Sequence, residues 1–301
     1  MTNNPRRFAI GIAIVAVYLI WGSTYLGLRW ALEGGFTPFL MGGIRFLIAG
    51  AILYWWSGRK GAPAPTRQEW RGAAVIGALM LVGGVGLVTI AEDQGVGSGV
   101  AAAVIAAMPL WAALWGGLFG AWPRRLEWLG LLIGFGGVVM LSFEGDFAGT
   151  TLGLVLMILA PVFWALGSIL SGRLTLPKGS MGTAAQMLAG GAMLMAGGLI
   201  RGERITEMPT IGAWLAVAYL IVFGSIWAYG AYMYLLANVR PALATSYAYV
   251  NPVVAVVLGV TLGSEIISGW TLGGLPVILL GVAIVGAAQR RGPLKRATGR
   301  E

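Results

Sequence analysis

The chain has 301 residues, of which 58% are hydrophobic and only 10% charged, a balance outside the range of soluble globular proteins. Cysteine and histidine are both absent, which excludes disulfides, thiol catalysis and thiolate or imidazole metal sites. A net charge of +9 and a pI near 10.3 would suit nucleic acid, but the basic residues are distributed in a way that points to a membrane instead.

Ten apolar stretches follow one another along the chain. The first is Phe8–Leu28, with a stripe of Tyr18, Trp21 and Tyr25 flanked by Ser23 and Thr24. It leads directly into the second, Pro38–Trp56, so it reads as a retained helix and not as a cleaved signal. The second holds Arg45, the one ionised residue well inside a span, about 10 Å from its outer end by helical rise. A polar loop, Ser57–Arg71, precedes Gly72–Ala91, and a tight outer loop leads to Ser98–Phe119 with Met108, Pro109 and Trp111. The fifth span is Leu126–Phe143. The sixth, Leu152–Ser171, carries Trp164 and Ser168, and the seventh is Thr183–Ile200. Gly212–Leu236 carries Trp227, Tyr229 and Tyr234. Leu243–Gly263 contains Ser246 to Asn251 just ahead of Pro252, and Gly269–Ala288 closes the series. Each stretch is about the ~20 residues a helix needs to cross hydrocarbon.

The second five spans repeat the first five. Trp21 and Trp164 stand 143 positions apart, as do Pro109 and Pro252, and the run from Arg45 to Ala51 resembles that from Gln186 to Ala192 at an offset of 141. Five is odd, so the second copy enters the membrane from the opposite side. The expected fold is an all-α polytopic membrane protein with ten transmembrane helices as two inverted five-helix repeats, residues 1–147 and 148–301. Inverted repeats suit a device with two related conformations, one open to each side.

With the N-terminus inside, sixteen of the twenty basic residues fall in inner segments, among them Arg59, Lys60, Arg124, Arg125 and the tail from Arg290 to Arg300. This positive-inside bias places both termini in the cytoplasm. The basic tail reads as a topology anchor near anionic lipid. The 49 glycines fall largely inside spans, where small residues let helix backbones approach.

Proline removes a helical hydrogen bond, so Pro109 and Pro252 predict kinks near the middles of spans four and nine, freeing the carbonyls of Ile105 and Ala248. Such kinks suit a hinge. In span nine, helical spacing puts Ala244, Tyr247, Asn251 and Ala255 on one polar, partly small face. Its counterpart in span four is apolar, with Met108 and, beside it, Trp111. Trp21, Tyr25, Trp164, Ser168 and Trp227 complete the candidate cavity. Any one of them is more readily explained by packing than by ligand contact; the cluster is harder to dismiss. Arg45 reads either as a site residue or as a helix tie, with Gln186 in its place in the second repeat favouring the tie.

Several chemistries are missing. No span has an acid near its middle; Glu92, Asp93, Glu144 and Glu265 fall at outer ends. A proton-driven carrier usually needs a titratable group at membrane depth. No nucleophile–base pair, metal set or nucleotide-binding loop occurs, so neither an enzyme nor a bound cofactor is expected.

The run Tyr18 to Thr24, Arg45-Phe46 followed by small residues, the two mid-helix prolines and Leu262-Gly263-Ser264-Glu265 resemble the EamA-type branch of the drug/metabolite transporter superfamily, over essentially the whole chain. Within that branch the chain looks most like bacterial inner-membrane exporters of aromatic and other amino acids. The resemblance implies a central cavity lined by spans one, three, four, six, eight and nine, with spans five and ten peripheral. The first repeat departs from the family's closing Gly-x-Glu, since Gly120-Ala121-Trp122 has no acid, and span one lacks the Glu that small relatives use for proton coupling. The expectation is a monomeric, facilitative exporter of amino acids or related small metabolites, working by alternating access in the bacterial inner membrane, with lipid and solute as its partners and no nucleic acid. The competing expectation is a proton-coupled exporter of flat aromatic or multidrug cations, for which an aromatic cavity is equally suited.

Overall fold

The computed structural model describes residues 5–96, 104–142, 150–254 and 269–290, and their regular structure is helical throughout. The first half comprises α1 (Pro5–Glu33), α2 (Pro38–Arg59), α3 (Arg67–Asp93), α4 (Met108–Leu118) and α5 (Arg125–Ser142). The second comprises α6 (Thr151–Ser171), α7 (Ser180–Ile200), α8 (Ile211–Asn238), α9 and α10 (Gly269–Arg290). α9 starts as Pro241–Ala244, turns at Thr245 and Ser246, and resumes as 247–254. The chain is an all-α polytopic membrane protein of two five-helix repeats. Among the described residues, α1, α2, α3, α6, α7 and α8 are each long and apolar enough to cross a bilayer.

Local chemistry sets the helix ends. Thr66 and Glu69 form a capping box that starts α3 five residues before the apolar run begins. Thr150 and Thr210 cap α6 and α8 by accepting from the N–H groups of Gly153 and Ala213. Glu203 Oε2 accepts from the N–H groups of Phe39 and Leu40 at 2.9 and 3.1 Å, capping α2 from across the molecule.

The inversion is visible in the packing. α2 lies against α7 in antiparallel register: Gly43 meets Met195, Gly50 meets Leu188, and Ser57 bonds Ser180. α5 lies against α10 in the same sense, with Gly130 against Gly281 and Gly137 against Ile278. Helices two and seven, and five and ten, are repeat equivalents. Two antiparallel pairs of equivalents meeting face to face define a two-fold relation in the membrane plane. Glycine permits the close approach, since a Cβ at Gly130 would strike backbone atoms of α10.

The outward faces are apolar, as on α6, where Leu152, Val155 and Ile158 are exposed. At the end of α2, Arg59 and Lys60 stack over Trp55 and Trp56 with charge-to-ring distances of 4.5 and 4.7 Å, as expected of anchors at a lipid–water boundary.

Two features were not visible in the sequence. The middles of α3 and α8 are π-helical, over Gly77–Gly86 and Leu220–Tyr229. These segments lie 143 positions apart, the same offset as the paired tryptophans. A π turn bonds i to i+5, widens the helix and re-aims its side chains. Span four also differs from expectation. The chain turns at Ala106 and Ala107, and α4 begins at Met108. Pro109 therefore sits in a first turn, where its missing N–H costs nothing, and it is not a kink within a continuous helix.

Candidate functional site

A cavity lies where the two repeats meet. About 110 Å³ of it is open to the centres of water-sized spheres, well above what one water needs. α1 contributes Trp21, Thr24 and Leu28, and α3 contributes Gly84, Val85 and Val88. Ile105 and Met108 come from the start of span four, and α6 adds Ala160, Pro161 and Trp164. α8 presents Gly224 and Tyr229, and α9 presents Tyr247 and Asn251. α2 adds Arg45 and Phe46, although the resemblance left span two out of the lining. α5 and α10 contribute nothing among their described residues.

The two π segments shape the walls. In α3, Gly84 leaves room for the indole of Trp164; a Cβ there would lie 2.5 Å from Trp164 Cε3. In α8, the Gly224 carbonyl accepts from Trp21 Nε1 at 3.1 Å, and Ser225 Oγ accepts from Arg45 Nε at 2.7 Å. At the end of the same segment, the Tyr229 hydroxyl donates to Gln186 Oε1 at 2.7 Å.

One side of the cavity is an aromatic floor. Trp21 meets Trp164 edge to face at 5.5 Å between ring centroids, and meets Tyr247 at 4.5 Å. Tyr232 packs against Trp21 and Tyr247 at 5.1 and 5.4 Å. Hydroxyls lock this layer: Ser168 with Tyr232 at 2.7 Å, and Tyr18 with Ser246 at 2.6 Å. The floor faces the end of the bundle that carries Arg124, Arg125 and Arg240. There, Glu127 takes a hydrogen bond of 2.8 Å from Arg240 Nη2 and a second from its Nε, joining the start of α5 to the approach to α9.

Inside the cavity, polar groups are left without partners. Asn251 is 3% exposed, and its Oδ1 has no hydrogen bond. Trp164 Nε1 also lacks a hydrogen bond of ordinary geometry. Arg45 is 4% exposed, and Nε is its only nitrogen with a hydrogen bond among the described residues. Unpaired polar atoms buried in a chain of this kind are costly unless water or a ligand reaches them.

The candidates named from sequence separate clearly. Trp21, Met108, Trp164, Tyr247 and Asn251 line the cavity together. Ser168 sits one turn below, in the hydroxyl layer, bonded to Tyr232 and to the Trp164 carbonyl. Trp111 is half-buried in the packing beside the cavity. Trp227 is 61% exposed and packs against Phe223 on the outer face of α8, because the π turn points Gly224, Ser225 and Tyr229 inward instead. The Tyr25 side chain lies outside the described residues, as does Ala255 of the span-nine face. Pro252 falls within the 247–254 helix, whose break comes earlier at Thr245 and Ser246. The sequence reading missed Phe46, Gly84 and Pro161 as lining residues; it named Thr24 and Tyr229 beside the candidate cluster without committing them to the cavity, and it favoured a tying role for Arg45. Among the described residues no cluster of acids, His or Cys could hold a metal.

The EamA-like transporter family model matches residues 8–143 and again 151–287. An inner membrane transporter of Escherichia coli strain K12, YedA, itself described as uncharacterized, is 46% identical over 273 residues, covering 91% of this chain and 89% of that protein. An uncharacterized transporter of Synechocystis is 26% identical, covering 84% of this chain and 82% of its own. One solved crystal structure superposes with a TM-score of 0.78 over 94% of this chain and 99% of its own, at 24% identity, a likeness of fold.

Proposed function

The chain belongs to the EamA-like transporter family, and from that premise we propose that it exports amino acids or related small metabolites across a bacterial inner membrane by alternating access. The observation that carries this reading is the cavity between the repeats. It pairs aromatic walls, Trp21, Trp164 and Tyr247, with an unpaired buried acceptor, Asn251 Oδ1. Flat or apolar side chains pack against the rings, and an ammonium donates to the free oxygen.

The aromatic floor, with its two hydroxyl pairs and the Glu127–Arg240 bridge beyond it, supports a state closed at the basic end. On the positive-inside rule that end is cytoplasmic. The cavity has no Asp or Glu among its described lining residues, which supports facilitated movement without proton coupling. The carrier acts as a monomer, since each copy contains a whole cavity.

Radiolabelled amino-acid flux into proteoliposomes containing only this protein tests the reading. Saturable flux down a substrate gradient, unchanged when an imposed pH gradient is removed, is the expected result. Flux that vanishes without the pH gradient overturns facilitation, and no flux of any amino acid overturns the substrate class.

A further inference from the structure

The cavity wall contains one full charge with no acid beside it among the described residues. Arg45 enters from α2, and its Nε donates to Ser225 Oγ at 2.7 Å. Its Nη nitrogens have no hydrogen bond among the described residues, and no Asp or Glu described lies within ion-pair reach. Phe46 lies under the guanidinium at 4.8 Å, and the backbone of Gly224 lies close to one Nη. Arg45 is 4% exposed, so it does not snorkel to the membrane surface.

A helix tie would be expected to spend its donors on neighbouring carbonyls or carboxylates. This one spends a single donor on a serine. The Nε–Ser225 bond instead fixes the plane of the guanidinium, and Gly224 leaves space beside it, where a Cβ would lie 2.8 Å from Nη2. Both fork nitrogens are left for whatever occupies the cavity. A buried cation at membrane depth marks a site by default, and its energetic deficit is relieved by an anion.

We propose that Arg45 is the anion anchor of this carrier, taking the carboxylate of the solute in a two-pronged hydrogen bond while Asn251 Oδ1 accepts from the solute's donor group. This deepens the reading above and rests on it for the cavity's use. A carboxylate suits the site better than a phosphate. The planar fork matches two coplanar oxygens, a single positive charge balances a single negative one, and the described lining residues include no Lys or second Arg. The remaining polar contributors, Thr24, Tyr229 and Tyr247, are neutral. Flat cations that lack a carboxylate are therefore disfavoured, because they would add a second positive charge beside the first.

The test compares matched acids and amides on the purified full chain. Thermal unfolding midpoints are measured with 3-phenylpropionate and 3-phenylpropionamide, with phenylalanine and phenylalaninamide, and with sodium chloride at the same ionic strength. The acids should raise the midpoint and the amides should not. Arg45→Gln, which copies the residue at the matching place in the second repeat, should weaken acid binding on the order of tenfold or more, and Arg45→Lys should keep part of the preference. Amides that match their acids, chloride that reproduces the whole shift, acids without effect, or an Arg45→Gln protein that keeps the preference would each overturn the anchor. Should Arg45→Gln fail to fold, the acid–amide comparison on the wild type still decides. Proteoliposome flux separates this proposal from the one it rests on. Acids that bind but do not move leave the anchor standing and remove the amino-acid carrier. Amides that move as fast as acids leave the carrier and remove the anchor.

Discussion

Arg45 and Gln186 stand at matching places on α2 and α7, and both reach the π segment of α8. Arg45 donates to Ser225, and Gln186 accepts from Tyr229. One repeat contributes a charge with spare donors; the other contributes a neutral amide used to hold a cavity tyrosine. The same division recurs between Met108, an apolar wall, and Asn251, a polar one, 143 positions apart. Trp21 donates its N–H to the Gly224 carbonyl, whereas Trp164 Nε1 makes no hydrogen bond of ordinary geometry. The backbone keeps the two-fold relation while the side chains abandon it. Inverted architecture thus constrains the helices, and the solute sees an asymmetric chamber with polar groups supplied by both halves.

The ends of the bundle differ as well, and this gives the largest effect to look for. By the 143-residue sequence offset, Glu127 and Arg240 correspond to Trp270 and Gly97, residue types that cannot form an ion bridge. Glu127 is 1% exposed, so Glu127→Ala leaves Arg240 facing a carboxylate-sized gap. A loss of about 3 kcal/mol is expected, read as a fall in the unfolding midpoint; an unchanged midpoint would make the bridge ornamental.

The next effect sharpens the contrast between the two π segments. Gly84 and Trp227 are repeat equivalents by the 143-residue offset. Gly84→Val should displace the Trp164 ring at a cost of about 1–3 kcal/mol and cut flux sharply. Trp227→Ala, on the outer face, should leave flux near wild type. Equal effects would mean that the cavity shape described here does not govern transport.

A smaller change is expected at the polar wall. Asn251→Ala removes a buried acceptor, worth about 1–3 kcal/mol, and should raise the apparent KM without a matching fall in kcat. Met108→Ala should shift KM less. The smallest contrast concerns the prolines. Pro252→Ala, within a helix, should slow turnover, whereas Pro109→Ala, in a first turn, should be nearly silent. Concentration-dependent flux for the four variants checks both pairs.

Much of the fold was legible because spans announce themselves by length and apolarity, and the repeat by the offsets of Trp and Pro. Trp21, Trp164, Met108, Tyr247 and Asn251 could be grouped because helical spacing and the repeat agreed on their depth. Trp227 could not be placed, since straight α-helical spacing gives the wrong face once a π turn intervenes, and nothing in Leu220 to Tyr229 announces that turn. Gly84 was one glycine among 49, and its role depends on a tryptophan 80 residues away. Arg45 was visible as a buried charge. That no acid among the described residues stands beside it is a tertiary fact, and comparison with Gln186 drew attention away from it.

The antiparallel seam between α2 and α7 has a consequence for biogenesis. Its hydroxyl contact, Ser57 to Ser180, joins residues 123 apart. While the ribosome is still making α6, α2 is already in the bilayer with its glycine face against lipid tails. α5 waits in the same way for α10. Neither half can finish its own packing, so the first repeat is not a folding unit, and assembly follows insertion as a separate stage. The nascent chain must therefore hold at least five helices in the membrane, unmatched, until the second copy arrives to close over them.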